Sequence, residues 1–173
     1  MDNFFIQSGS LFNYNMAQIS LDKYKKTFDL ISARHTIIDA KQIYDSLVPD
    51  GILVIEGIDK EDCWEIKELF GRGQAYNDEI AISGKDYLDL KEAGFKNIEK
   101  VKILQNEYYE TEDDLMALLL KTPILDEFSE IRDKESTRRN VVEKNLFNEY
   151  VRRYKTEKGI LLKRVLYGIV AKK

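Results

Sequence analysis

The chain has 173 residues, a mass of 20.2 kDa and 43% hydrophobic residues, as expected for one folded domain. Lysine and arginine number 27 against 31 aspartate and glutamate, so the net charge of -4 gives no support for binding nucleic acid. A single cysteine, Cys63, excludes an internal disulfide and predicts a reducing, cytoplasmic location. One cysteine and one histidine predict no Cys/His metal site. Every apolar stretch is shorter than the ~20 residues of a membrane span.

The first third of the chain predicts short strands separated by a helix. Residues 3–7 (NFFIQ) predict a strand followed by the turn Ser8-Gly9-Ser10. Residues 28–32 predict a second strand, and Thr36 with Asp39 predicts the capping box of a helix. Residues 51–58 (GILVIEGI) form an apolar run typical of a central parallel strand.

The rest of the chain alternates helices with strands. Three helices are predicted from caps and stops. They are residues 59–70 ending at Gly71, a helix that Ser83 with Asp86 caps and Gly94 ends, and a helix that Thr111 with Asp114 caps and Pro123 ends. The region 127–154 predicts an amphipathic helical segment that ends at Gly159, and strands are predicted at 98–104 and 161–172. This alternation predicts an α/β fold with a mainly parallel sheet.

Five segments, in order and spacing, resemble one family. They are NFFIQSGSL, TFDLISARHT, LVPDGILVI, EAGFKNIEKVKI and LLKRVLYGIVAK. Together they resemble the C-terminal portion of the class I S-adenosylmethionine-dependent methyltransferases of the small-molecule type. The resemblance implies a partial Rossmann-like sheet, mostly parallel with an antiparallel last strand, flanked by helices. It implies a single domain at 1–173, with a sheet core at 1–107 and 158–173 and a helical lid insertion at 108–157.

The family's main cofactor motif is absent from the chain. Its members hold the cofactor with a G-x-G-x-G turn after the first strand, where glycine lets the backbone approach the ligand. The nearest cluster here, Gly71-Arg72-Gly73, follows a predicted helix and is interpreted as a helix stop. We therefore expect a truncated member in which S-adenosylmethionine, the cofactor that the family implies, is bound weakly or not at all.

The resemblance assigns the remaining site residues to turns that follow strands. It implies cofactor contacts at the turn Ser8, Gly9, Ser10 and Leu11 and at the turn Ser32, Ala33 and Arg34.

His35 ends the second of these turns. Its unperturbed pKa near ~6.5 suits a general base acting on the acceptor. In the alternative interpretation, His35 and Arg34 only cap the following helix or pair with carboxylates. Tyr108 and Tyr109 are interpreted either as lining an acceptor pocket or as core residues where strand meets helix.

Two functions remain open from the sequence. One is methyl transfer to a small-molecule acceptor. The other is a non-catalytic role in self-association or protein binding, because without the family's first strand the strand at 28–31 lacks its usual neighbour. Either residues 4–6 move into that place, or two chains join through the exposed sheet edge as a homodimer. No nucleic-acid or membrane partner is expected.

Overall fold

The computed structural model of the protein describes residues 21, 24–125 and 144–173, and the backbone of residues 4–8. The chain divides into two compact units. Unit 1 comprises residues 1–59, 80–103 and 166–173, and unit 2 comprises residues 60–79 and 104–165. The predicted insertion at 108–157 lies within the range of unit 2. None of the helices in the described ranges is long and apolar enough to cross a bilayer.

The described elements alternate along the chain as the sequence predicts. The strands are β1 (Phe4–Ser8), β2 (Phe28–Arg34), β3 (Leu47–Ile58), β4 (Lys96–Tyr109), β5 (Lys155–Thr156) and β6 (Gly159–Lys172). The helices are α1 (Ala40–Ser46), α2 (Trp64–Phe70), α3 (Ile82–Ala93), α4 (Glu112–Lys121) and α5 (Lys144–Tyr154).

These strands form a sheet in the order β1-β2-β3-β6-β4, with β5 beside β6. The pairs β1/β2 and β2/β3 are parallel, and β6 is antiparallel to β3. The predicted α/β class, with a parallel set of strands and an antiparallel last strand, is confirmed. The stretch at residues 49–51 lies where the register between β2 and β3 is irregular, and Asp50 there has a left-handed φ of 66°.

The edge of β2 is covered by β1. Phe4 pairs with Leu30 and Ser8 with Arg34 along a parallel ladder. Of the two ways to complete this part of the sheet, the first is therefore confirmed, since residues 4–6 lie beside β2. The position of β1 also makes it the terminal strand of the described sheet.

Unit 1 is held together by alternate residues of its strands, packed against α1 and α3. Strand side chains point alternately to the two faces of a sheet, so every second residue can enter one core. The buried set is Leu21, Phe28, Ile31, Ala33, Ala40, Ile43, Leu47, Leu53, Ile55, Leu90, Phe95, Tyr167, Ile169 and Ala171.

Unit 2 has its own apolar core. It is contributed by α2, α4, α5 and the first part of β6, and it comprises Cys63, Ile66, Phe70, Leu115, Leu119, Ile124, Leu125, Phe147, Tyr150, Val151, Ile160 and Leu162. The hydroxyl of Tyr150 donates to the carbonyl of Leu161 across 3.0 Å, so this buried aromatic residue keeps its polar atom satisfied.

Two helices begin later than their sequences predict. The N-cap of α1 is Asp39, whose carboxylate accepts from the backbone N–H of Gln42 at 2.9 Å, so the capping box from Thr36 is wrong. Helix α2 begins at Trp64 rather than at residue 59, because Cys63 has a left-handed φ of 54° that interrupts helical geometry.

The predicted capping box of α3 is also wrong. Its N-cap is Ala81, and the hydroxyl of Ser83 donates to Asp59 instead of to a local partner. Asp86 accepts a hydrogen bond from the hydroxyl of Tyr167. Both side chains are used by packing partners far away in the sequence, which a local pattern does not reveal.

Glycine stops and one N-terminal cap are confirmed. Gly71 and Gly94 end α2 and α3 in the left-handed conformation, with φ of 66° and 104°. Thr111 and Asp114 form the predicted capping box of α4. Gly159 is the exception, because α5 ends at Tyr154 and Gly159 instead opens β6.

Candidate functional site

The carboxyl ends of three parallel strands meet at one edge of the sheet in unit 1. Ser8 at the end of β1 pairs with Arg34 at the end of β2, and Arg34 pairs with Glu56 near the end of β3. Open α/β sheets bind ligands at this end of their strands. The residues that follow these ends are therefore the first place to look for a site.

The Glu56 carboxylate is the centre of a small charged cluster at this edge. Its Oε1 accepts a hydrogen bond from Nε of Arg34 at 3.1 Å, and Nε2 of His35 lies 3.4 Å from the same oxygen. The Arg34 side chain is 64% exposed and that of Glu56 40%, so the ion pair contributes little to stability. A ligand can therefore reach the Arg34 and Glu56 side chains of this cluster.

The backbone at His35 directs its ring toward Glu56. His35 has a left-handed φ of 48°, and its N–H donates to the carbonyl of Glu56 at 2.8 Å. This bend ends β2 and places the imidazole beside the neighbouring strand. Its side chain is 29% exposed, although the Nε2 atom that faces Glu56 is itself buried. The alternative interpretation includes a role for His35 as the cap of the following helix. The N-cap of that helix is Asp39, so this part of the interpretation is wrong.

The other residues of the predicted second turn lie within β2 itself. Ser32 is half-buried, whereas Ala33 is 1% exposed and belongs to the unit 1 core. Arg34 is the last residue of the strand and is exposed, unlike Ser32 and Ala33. Of these three residues, Arg34 is the one whose side chain takes part in the Glu56 cluster.

The predicted first turn is described only at its start. Ser8 is the last residue of β1, and its backbone pairs with that of Arg34. Gly9, Ser10 and Leu11 lie outside the described residues.

Tyr108 and Tyr109 belong to unit 2, where they end β4. The hydroxyl of Tyr109 donates to Oε2 of Glu107 at 2.9 Å, and burial raises the pKa of that hydroxyl. Tyr108 is 40% exposed, with Nζ of Lys158 5.7 Å from its ring centroid. The pair thus divides into one half-buried and one exposed residue, as expected from strand alternation.

The described residues do not provide the glycine cradle that the family's cofactor needs. At the carboxyl ends of β1, β2 and β3, the glycine that the structure describes is Gly57. A Cβ atom built on Gly57 would meet the ring of Tyr167, so this space is already filled by the chain's own side chain. The described residues likewise contain no cluster of three His, Cys, Asp or Glu residues that could hold a metal ion.

Sequence analysis missed Glu56. A signal was present, because Glu56 is the one charged residue in the run 51–58 and stands near the end of a predicted parallel strand. The sequence alone does not show which strand lies beside the turn that carries His35. The β2/β3 register shows that Glu56 lies next to it.

Comparison with solved structures returns, among others, three proteins, two of which are described as methyltransferases. A SAM-dependent methyltransferase from Archaeoglobus fulgidus matches with 20% identity over 88% of this chain and 63% of its own, at a TM-score of 0.43. Phosphoethanolamine N-methyltransferase 2 from Haemonchus contortus, solved with S-adenosylhomocysteine, matches with 15% identity over 86% and 34%, at 0.37. The YcgJ protein from Bacillus subtilis matches with 11% identity over 96% and 70%, at 0.44.

The chain thus spans 63% and 34% of the length of two of these proteins. No family model and no curated protein sequence matches it.

Proposed function

We propose that this chain is a cytoplasmic protein of the class I S-adenosylmethionine-dependent methyltransferase lineage, and that its described residues form the acceptor end of a small-molecule site. One observation supports this most directly. Arg34, His35 and Glu56 converge at the carboxyl edge of parallel strands, with two side chains at 3.1 and 3.4 Å from one carboxylate oxygen. That edge is where such sheets bind ligands.

In this proposal His35 is the general base. An acceptor hydroxyl or amine at the edge would lose its proton to the imidazole, and the adjacent Glu56 carboxylate would stabilise the imidazolium that forms. Arg34 would hold the carboxylate in place and complete its charge balance. The bound cofactor would supply an activated methyl group, so the residues here need only bind, orient and remove a proton.

The contacts of the cofactor itself are not assigned to the described residues, because they lack the glycine cradle. The test is therefore calorimetric titration of the purified chain with S-adenosylhomocysteine, followed by a methyl-transfer assay on small hydroxyl and amine acceptors. Saturable binding at micromolar concentrations would support the transferase proposal. In the assay, His35→Gln should reduce the turnover by roughly 100-fold, the usual contribution of a general base.

A matched control separates this role from a general change in surface charge. Asp50→Asn removes an exposed carboxylate that pairs with Lys172, in the same strand as Glu56. It should leave the turnover unchanged, whereas Glu56→Gln should lower it. No heat at millimolar S-adenosylhomocysteine would contradict the transferase proposal.

A second function, non-catalytic self-association, is favoured by the position of β1. This strand ends the described sheet, and no described strand pairs with its outer side. An unpaired edge of this kind is a template for a second copy. In this case the chain forms a homodimer through β1.

Sedimentation at micromolar concentration tests this second function. A dimer that Ile6→Pro dissociates would support it, because proline removes a backbone donor from the edge strand. A stable monomer of the unmodified chain would contradict it.

A further inference from the structure

Unit 2 contains a cavity of about 540 Å³ that none of the residues in the Glu56 cluster lines. Its walls come from the segment entering α2, from the second half of β4 and from β6, and all of its lining residues lie in the range of unit 2. A cavity of this size is large enough for a small organic molecule.

One wall of the cavity is apolar and held in place. Trp64, Leu104 and Val165 line it. The indole ring of Trp64 stacks on Tyr76 with the ring centroids 5.1 Å apart and the planes inclined by 23°. This stacking orders the indole before any ligand arrives, which lowers the entropic cost of binding.

The guanidinium group in the cavity wall is neutralised by the protein. Nε of Arg164 donates to Oδ1 of Asp62 at 2.9 Å, and Nη1 donates to Oε1 of Glu107 at 3.1 Å. The side chains of Arg164 and Asp62 are 15% and 3% exposed, so these are largely desolvated charges. Two carboxylates for one guanidinium leave no excess positive charge to attract an anion.

The two lysines of the lining also have acceptors within unit 2. Nζ of Lys163 lies 2.6 Å from Oε1 of Glu65. Nζ of Lys60 donates to the backbone carbonyl of Asp78 and lies 5.9 Å from the centroid of the Trp64 ring. A negatively charged ligand would therefore have to break an existing pair to gain a counter-ion, and an uncharged ligand would not.

Uncharged hydrogen-bonding groups complete the lining. Asn106, on the same face of β4 as Leu104, brings a carboxamide, which has both donors and an acceptor. The Nη2 group of Arg164 makes no hydrogen bond with the residues that the structure describes, so its two donors are available to an acceptor atom. A carbonyl or hydroxyl oxygen on the ligand would satisfy them.

We propose that this cavity binds a planar small molecule that carries a carbonyl or hydroxyl oxygen and no negative charge. The apolar wall at Trp64 contacts the ring, the Asn106 amide and the Arg164 Nη2 group hydrogen-bond to its polar edge, and the surplus of carboxylates disfavours an anion. This site is separate from the Glu56 cluster, and the proposal does not depend on methyl transfer.

The chain offers a direct reporter for the test, because Trp64 is its only tryptophan. The probes are 4-hydroxybenzamide, 4-hydroxybenzoate and tyramine, which share one ring and carry no charge, a negative charge and a positive charge. We expect a saturable change in tryptophan emission with 4-hydroxybenzamide, and binding of the anionic 4-hydroxybenzoate weaker by about tenfold than that of either other probe, as for one unpaired charge. No saturable change, or equal affinity for all three probes, would overturn the proposal.

A pair of matched variants locates the binding site. Leu104 is 71% exposed and lines the cavity, so Leu104→Arg should fold and obstruct it. Leu120 is 42% exposed on α4 and is not part of the lining, so Leu120→Arg adds the same group elsewhere in unit 2. We expect the first variant to lose 4-hydroxybenzamide binding and the second to keep it. Binding that survives in Leu104→Arg would overturn the assignment.

A charge variant covers the case in which Leu104→Arg does not fold. Asn106→Asp keeps the size of the side chain and adds a negative charge to the face of β4 that carries Leu104. It should weaken 4-hydroxybenzamide about tenfold, because a carboxamide donor is lost. It should weaken 4-hydroxybenzoate further, because the added carboxylate repels it. Unchanged affinities for both probes would contradict the proposal.

Discussion

The carboxylate of Asp59 caps a helix that lies 24 residues further along the chain at Ser83. Oδ2 accepts the Ser83 hydroxyl at 2.7 Å, and Oδ1 accepts the Ser83 backbone N–H at 3.4 Å. The N-cap residue of α3, Ala81, makes no side-chain cap of its own. Asp59 and Ser83 are both buried, so this contact joins the end of β3 to the start of α3 in unit 1.

Loss of this distant cap should destabilise the protein. Asp59→Ala leaves a buried N–H and a buried hydroxyl without their acceptor, so the free energy of unfolding should fall by about 1–3 kcal/mol. Urea unfolding measures it. Asp39→Ala removes the exposed local cap of α1 and serves as the comparison, with an expected loss of about 1 kcal/mol. A loss at Asp59 no larger than that at Asp39 would show that burial does not strengthen the contact.

The ring of Tyr167 fills the space that a side chain at residue 57 would need, so this position requires glycine. A Cβ atom at Gly57 would meet Cζ, Cε1 and the hydroxyl oxygen of Tyr167, so Gly57→Ala should cost about 1–3 kcal/mol through overpacking. The same substitution in a Tyr167→Leu background should cost much less, since the obstructing ring atoms are gone. A double-mutant cycle by chemical denaturation measures this coupling. Additive effects of the two changes would refute the close approach.

Asp86 makes stability decrease as the pH rises. Burial raises the pKa of its carboxyl above the ordinary value of 3.8, although the hydrogen bond from Tyr167 acts in the opposite direction. The folded chain therefore retains the proton to a higher pH than the unfolded chain does. Between the two pKa values the folded state binds more protons, and the free energy of unfolding falls as the pH rises.

Two variants measure the Asp86 effect. Asp86→Asn has no charge to bury, so its stability relative to the unmodified chain should increase as the pH rises from 3.8 toward neutrality. Asp45→Asn is the control with the opposite sign. Lys41 lowers the pKa of the Asp45 carboxyl, so that residue contributes stability that is lost as the pH falls. Urea unfolding over a pH series gives the free energy of unfolding of each variant minus that of the unmodified chain. This difference should rise with pH for Asp86→Asn and fall with pH for Asp45→Asn.

Arg164 and Lys163 are neighbours in the sequence, and we expect their ion pairs to contribute very differently to the free energy of unfolding. Arg164→Met would leave the buried Asp62 carboxylate without its cationic partner, which should cost about 3–5 kcal/mol. The adjacent Lys163 pairs with Glu65 and has a side chain that is 49% exposed, so Lys163→Met should cost less than about 1 kcal/mol. Thermal and urea unfolding of both variants check the difference. Equal losses would show that the Arg164 network is solvated.

Local signals in the sequence were sufficient for the helix ends that depend on local geometry. Gly71 and Gly94 end their helices because only glycine adopts the left-handed conformation without cost, and this can be predicted from position alone. The start of α3 could not be predicted, because its capping group, Asp59, comes from another element. Hydrophobic runs predicted β3 and β6, whereas the pairing of β1 with β2 depends on the whole sheet.

The candidate site was predictable only in part, for the same reason. Arg34 and His35 follow a recognisable strand, so the sequence points to them. Their partner Glu56 is identified by the register of β2 and β3, which aligns Arg34 with Glu56. The cavity in unit 2 combines residues from the entry of α2, from β4 and from β6, and no single motif contains that combination.

The two ends of the described sheet differ in their ability to accept another strand. At the β4 end, Lys100 and Lys102 are exposed and separated by one residue, so they share one face. A two-fold axis between two β4 strands would align residues of the same face and bring these lysines close to their copies, which repel. We therefore expect association through β1 to stop at two chains, because this repulsion opposes pairing between β4 strands at the other end of the described sheet.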